Sequence, residues 1–153
     1  MNDLEPNVLS RFQLLLVNDT APVRIDPLQG DASTRRYFRA HYADDSTTIL
    51  TLYPEAGIGQ EDTFLDVQRF LKNLGLPVPE VLLHDEANGF VVLEDLGNDL
   101  LEGVVSQASE ARLQALYEQA VDLLLDMRRA TDGLTSGCVA YTLAFDMEKL
   151  MWE

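Results

Sequence analysis

The hydrophobic period of the chain changes several times, and that sequence of changes constrains the fold more than any other feature. Residues 22–28, 36–43 and 47–53 read as three short strands, with "DASTR" and "ADDS" as turn-rich connections between them. In "TTILTLYP" the residues are β-branched or apolar, and Pro54 ends the run. Residues 61–74 then switch to helical spacing, with Phe64, Val67, Leu71 and Leu74 as the expected buried stripe and Gly75 just past the helix end. After an extended entry at "LPVP", a strand runs to about Asp85, a turn uses Asn88-Gly89, and a further strand covers Phe90 to Glu94. The order strand-strand-strand-helix-strand-strand predicts an α+β fold: about five antiparallel strands with one helix packed on a face.

The flanking regions are helical. Residues 4–18 place Leu4, Val8, Leu9, Phe12, Leu15 and Leu16 near helical spacing, with Asp3 as a candidate cap. Beyond Gly97, residues 99–105 suit a short helix. Residues 109–130 suit a long one, with Leu113, Leu116, Tyr117, Ala120, Leu124 and Met127 on one face. Asp146 suits the cap of a further helix entering "MEKLMWE". These changes divide the chain into a helix over 1–20, a sheet region over 21–97 and a helical region over 98–153. The apolar helix start near residue 153 leads us to expect the N-terminal part of a larger protein.

Composition excludes several function classes. Among the 153 residues, 26 are acidic and 11 basic, for a formal net charge of -15. Most of such a surface repels nucleic acid and anionic membranes, so we expect neither as a partner. Cys138 is the only cysteine, which rules out an internal disulfide and a thiolate metal cage. No apolar run is long enough to span a bilayer, and no secretory leader pattern is visible, so the expectation is a cytoplasmic protein. Oligomeric state is not readable from the pattern.

Against this acidic background, "LQGDASTRRYFRAHY" gathers Arg35, Arg36 and Arg39. Gly30, Asp31, Ala32, Ser33 and Thr34 can turn tightly and offer backbone N–H groups and two hydroxyls. Such groups, with a guanidinium, are good phosphate ligands. The alternative is a plain hairpin whose arginines sit among acidic neighbours. Strand alternation puts Arg35 and Arg36 on opposite faces, so only one can serve a given ligand; Arg36, which begins the strand, is the slightly preferred candidate. Other motifs carry less. Gly57-Ile58-Gly59 lacks a third glycine and a βαβ setting, and no G-x-x-x-x-G-K-[ST] loop occurs. His41 and His84 fall in strands and read as strand side chains rather than ligands. Asp44-Asp45, Glu61-Asp62 and Glu94-Asp95 read as turn, helix-start and loop chemistry. No metal site is expected in this chain.

The glycine-containing hairpin, third strand, helix, "LGLPVPEVLLHD" and "GFVVLEDLG", in that order, resemble the N-terminal lobe of the aminoglycoside phosphotransferase and choline kinase-like family. "DASTRRYFR" with "FVVLEDLG" looks most like its bacterial sugar-kinase branch, which includes anomeric kinases of N-acetylmuramate and N-acetylglucosamine. The resemblance implies a protein kinase-like N-terminal lobe followed by the first helices of a helical C-terminal lobe. It implies transfer of the ATP γ-phosphoryl group, with Mg, to a hydroxyl of a sugar or aminoglycoside-like acceptor. Carried onto this sequence, Gly30 to Thr34 with Arg35 or Arg36 would meet the phosphates. Residues 90–97 would be the strand and linker, with the Glu94 carbonyl accepting from adenine and the Leu96 N–H donating, and Asp95 between them. Leu93 would close the back of the pocket, and Leu50 and Leu52 are the candidates for its roof.

Two departures from the family pattern matter. Kinases of this fold place a lysine on the third strand, paired with a glutamate on the next helix. Here Thr51 stands about where the lysine belongs, and the partner position falls near Phe64 or Leu65. The only lysines are Lys72 and Lys149. Losing both halves together is coherent, since a lone buried charge is costly; an arginine of the hairpin would then supply the positive charge. The second departure is that the catalytic loop H-G-D-x-x-x-x-N does not occur in residues 1–153, so catalytic and Mg-binding residues are expected outside them. The rival reading is a non-catalytic, pseudokinase-like module serving a partner protein.

Overall fold

The structure, a computed structural model, describes Val8, Phe12, residues 21–29, 35–54 and 63–143, and Met151. The chain forms two compact units, Met1–Gln60 with Pro79–Leu96, and Glu61–Val78 with Gly97–Glu153. The first contains a five-stranded sheet made of β1 (Arg24–Pro27), β2 (Arg36–His41), β3 (Thr47–Leu52), β4 (Val81–Asp85) and β5 (Phe90–Glu94), in the order β1-β2-β3-β5-β4. Every neighbouring pair is antiparallel. With helices in the second unit, the chain is α+β, the class that the element order predicts.

Local chemistry fixes two tight turns of the sheet among the described residues. Between β2 and β3, the Asp44 carboxylate accepts from the Ser46 hydroxyl at 2.6 Å and from the Ser46 N–H at 3.0 Å. These bonds favour the ionised carboxylate and hold the Asp44 pKa below its ordinary value. Asp45 takes the left-handed conformation (φ 65°) that short polar residues tolerate. Between β4 and β5, Asp85 accepts from the Asn88 backbone and side-chain amides at 3.0 and 2.8 Å, and Gly89 supplies φ 62°. The edge strand β4 is irregular, with a register shift between Val81 and Leu83 that discourages edge pairing.

One face of the sheet forms the core. Ile25, Phe38, Ala40, Leu50, Leu52, Phe90 and Val92 pack with Val8 and Phe12 of the N-terminal segment. Phe12 sits edge-on to Phe38 (centroids 5.8 Å) and to Phe90 (5.3 Å), the geometry that aromatic quadrupoles prefer. Its N–H donates to the Val8 carbonyl at 3.2 Å, a helical turn as the spacing there predicts. The rest of the helix expected over residues 4–18 lies outside the described residues.

The second unit contains α1 (Thr63–Asn73), α2 (Leu101–Val105), α3 (Glu110–Ala130) and a 3-10 turn at Val139–Thr142. Past the end of α1, Gly75 takes φ 76°, and the Leu76 N–H returns to the Leu71 carbonyl at 3.1 Å. The buried side of α1 corrects the sequence expectation. Leu65 and Gln68 are its buried residues, whereas Phe64, Val67, Leu71 and Leu74 are half-buried. Another side of α1 meets a neighbour that the helical period does not reveal. The Asp66 carboxylate accepts from the Val139 N–H at 2.7 Å, and Phe70 meets Tyr141 edge-on at 5.8 Å. Ser109 caps α3, accepting weakly from the Arg112 N–H at 3.4 Å. None of the residues of α3 is buried; Tyr117, Val121 and Leu124 are more than half exposed. The helix expected over "MEKLMWE" and its Asp146 cap lie outside the described residues.

Candidate functional site

Register assigns every central side chain to one of two faces. Phe38, Leu50 and Val92 are directly opposite one another across β2, β3 and β5, on the core face. Tyr37, Thr51 and Val91 form a row on the other face, and Arg39, Ile49 and Leu93 form the next. Leu93 therefore lies on the face opposite to Leu50 and Leu52. The three cannot line one pocket as the sequence reading had them, because Leu50 and Leu52 fill the core against Val8 and Phe12. Both faces of "TILTL" are apolar enough to be covered, so alternation alone does not say which one meets the N-terminal segment.

The Thr51 face has polar content that the core face lacks. Thr51 is 2% exposed, and its Oγ1 has no hydrogen-bond partner among the described residues. Val91 and Leu93 beside it are buried. The three arginines separate. The Arg35 guanidinium stacks over the Tyr53 ring at 5.8 Å, and that of Arg36 stacks over Phe38 at 5.4 Å. Alternation thus places Arg35 on the Thr51 side and Arg36 on the core side. Arg39 donates from Nε to Asp95 Oδ2 at 2.6 Å and from a terminal nitrogen to Oδ1 at 3.0 Å, a bidentate pair. Their side chains are only 15% and 3% exposed. Sequence alone places Asp95 in loop chemistry and in the adenine linker and does not reveal this pair, whose members are 56 residues apart. The available signal was a carboxylate immediately after the wholly buried run "FVVL".

The segment after β5 is held at its start. The Glu94 N–H donates to the Glu80 carbonyl at 2.9 Å, and the Glu94 carboxylate accepts from the Glu80 N–H at 3.1 Å. Leu96 is exposed, and Gly97 turns the chain with φ 87°, a conformation suited to glycine. Gly30, Asp31, Ala32, Ser33 and Thr34 lie outside the described residues, as do Gly57, Ile58 and Gly59. His41 meets Asp26 at 3.0 Å on the β1–β2 ladder, and His84 is exposed on β4. Among the described residues no three His, Cys, Asp or Glu side chains group in a way that could hold a metal ion. No helix among them is long and apolar enough to cross a membrane.

The sheet, the segment after β5 and the helices that follow all fall within one family match. Residues 24–142 match the phosphotransferase enzyme family. The chain belongs to that family. Its five-stranded antiparallel sheet plus helices fit the kinase-like N-terminal lobe that the motif order predicts. Among curated proteins it is similar to the N-acetylmuramate/N-acetylglucosamine kinase of Pseudomonas aeruginosa, 33% identical over 113 residues. The proteins of the same name from Caulobacter vibrioides and Neisseria meningitidis serogroup B are 30% and 34% identical over 146 and 102 residues. These matches cover 72%, 79% and 66% of this phosphotransferase-family chain, but only 31%, 40% and 30% of the relatives.

Proposed function

We propose that this chain is the ATP-binding part of a small-molecule kinase, which transfers the ATP γ-phosphoryl group to a sugar hydroxyl. The observation that carries the proposal is the family match running through all five strands and the segment after β5. The similarity to proteins named N-acetylmuramate/N-acetylglucosamine kinase supports an amino-sugar acceptor.

In this reading the adenine lies on the Thr51 face. Ile49 and Val91 replace Leu50 and Leu52 as its apolar roof, Leu93 closes the back, and the Glu94 carbonyl and Leu96 N–H read its edge. Arg35, not Arg36, is the cation for the phosphates, together with the Gly30–Thr34 turn. Its support is the stack of Arg35 on Tyr53, two positions beyond Thr51 on the same face. The buried Thr51 hydroxyl, lacking a partner among the described residues, is a second polar group assigned to the nucleotide. The H-G-D-x-x-x-x-N loop does not occur in residues 1–153, so the catalytic base and the Mg ligands are assigned to residues outside them, and the reaction to the cytoplasm, where ATP is supplied.

The absence of a third-strand lysine favours a second reading, a non-catalytic module of the same fold. The experiment that separates them is phosphoryl transfer by the intact protein from γ-labelled ATP to N-acetylmuramate or N-acetylglucosamine. Labelled sugar phosphate supports the kinase. No transfer and no saturable ATP binding supports the module.

A further inference from the structure

Arg39 and Asp95 share the sheet face proposed for adenine, and their ion pair reaches across β3. Arg39 is on β2, in register with Ile49 of β3, which is in register with Leu93 of β5. Asp95 follows β5 and lies between Glu94 and Leu96, whose backbone groups are assigned to the base. Two hydrogen bonds of 2.6 and 3.0 Å hold the Asp95 carboxylate to the guanidinium, and little solvent reaches it. A flexible segment has no such anchor. Glu94 is tied to Glu80 on one side and Gly97 turns the chain on the other, so Asp95 is the point at which the middle of the segment is attached to the sheet.

We propose that Arg39 and Asp95 are a positioning pair that sets the segment's backbone for adenine and against guanine; this rests on the nucleotide reading above. Adenine offers a donor at its exocyclic amine and an acceptor at N1, matching the Glu94 carbonyl and the Leu96 N–H. Guanine offers an acceptor and a donor at the same places. A fixed backbone leaves both guanine groups opposed by like partners, and a loosened one can rotate to relieve them. Neither Arg39 nor Asp95 need touch the base.

The test is equilibrium titration of ATP, GTP and tripolyphosphate against the intact protein and its Arg39→Met, Asp95→Asn and Arg39→Lys variants. In the single neutral variants the ratio of ATP to GTP affinity should shrink about three- to tenfold, the size of one lost hydrogen bond. Tripolyphosphate binding should not change, and Arg39→Lys, which keeps the charge, should fall between. Should the neutral variants fail to fold, Arg39→Lys carries the same comparison, with a ratio below wild type as the supporting result. A ratio equal to wild type in every variant that folds, with only stability reduced, would make the pair a structural clamp and overturn the inference. If wild type binds no ATP, the nucleotide reading itself falls and this proposal with it.

Discussion

Asp95 is a carboxylate kept from water, so the energy of its charged form depends on the groups around it, and Arg39 grips it with two hydrogen bonds. Removing one side of such a pair leaves an uncompensated charge. Arg39→Met or Asp95→Leu alone should destabilise the chain by about 3–5 kcal/mol, whereas the double Arg39→Met/Asp95→Leu change should cost much less. Urea denaturation of the three variants checks this, because the double-mutant cycle isolates the pair. Asp44 gives a second prediction, on pH. Its pKa is lowered chiefly by the Ser46 hydroxyl. A lowered carboxylate pKa contributes stability that is fully present above the ordinary aspartate value and is lost as pH falls through the lowered one. Protection of the Ser46 amide against hydrogen exchange should therefore persist through the ordinary aspartate range and fail only below it. In Asp44→Ala it should be weak at every pH.

At the level of elements, the N-terminal turn is as much a part of the sheet's core as the strands are. Phe12 is fully buried between Phe38 and Phe90. Phe12→Ala should cost about 3–5 kcal/mol, measured by thermal or urea unfolding. Strands were legible in the sequence because "RIDP", "RYFRAH" and "TTILTL" are bounded by residues that turn the chain. The β2–β3 and β4–β5 turns carry their own chemistry, as Asp44 and Asn88 show. What alternation could not give was orientation. Ile49 and Leu50 are both apolar and adjacent, and only the packing of Phe12 against Phe38 reveals that Leu50 faces the core. The same limit hid the contact of Asp66 on α1 with Val139, distant in sequence, and the pairing of Arg39 with Asp95. α3 shows the opposite case, a helix clear in the sequence whose apolar residues Val121 and Leu124 are exposed. Residues 1–153 in isolation should bind a hydrophobic dye such as ANS, and Val121→Ser with Leu124→Ser should reduce that fluorescence.

For the molecule as a whole, a formal charge of -15 makes any anion unwelcome over most of the surface. A polyphosphate can bind only where cations are gathered, and the sequence gathers three arginines within five residues. They have different surroundings: Arg39 is engaged by Asp95, Arg36 lies over the core-side Phe38, and Arg35 lies over Tyr53 on the Thr51 face. Assignment of the nucleotide to the Thr51 face therefore requires Arg35 to serve phosphate from that face. The direct measurement is calorimetric titration of ATP and adenosine against the wild-type protein, Arg35→Ala and Arg36→Ala. A charge-assisted phosphate contact is worth about 1.5–3 kcal/mol, so Arg35→Ala should weaken ATP roughly ten- to a hundredfold and leave adenosine nearly unchanged. Arg36→Ala should change neither. Equal loss of ATP and adenosine in Arg35→Ala, or a selective loss of ATP in Arg36→Ala alone, would contradict the assignment of the nucleotide to the Thr51 face.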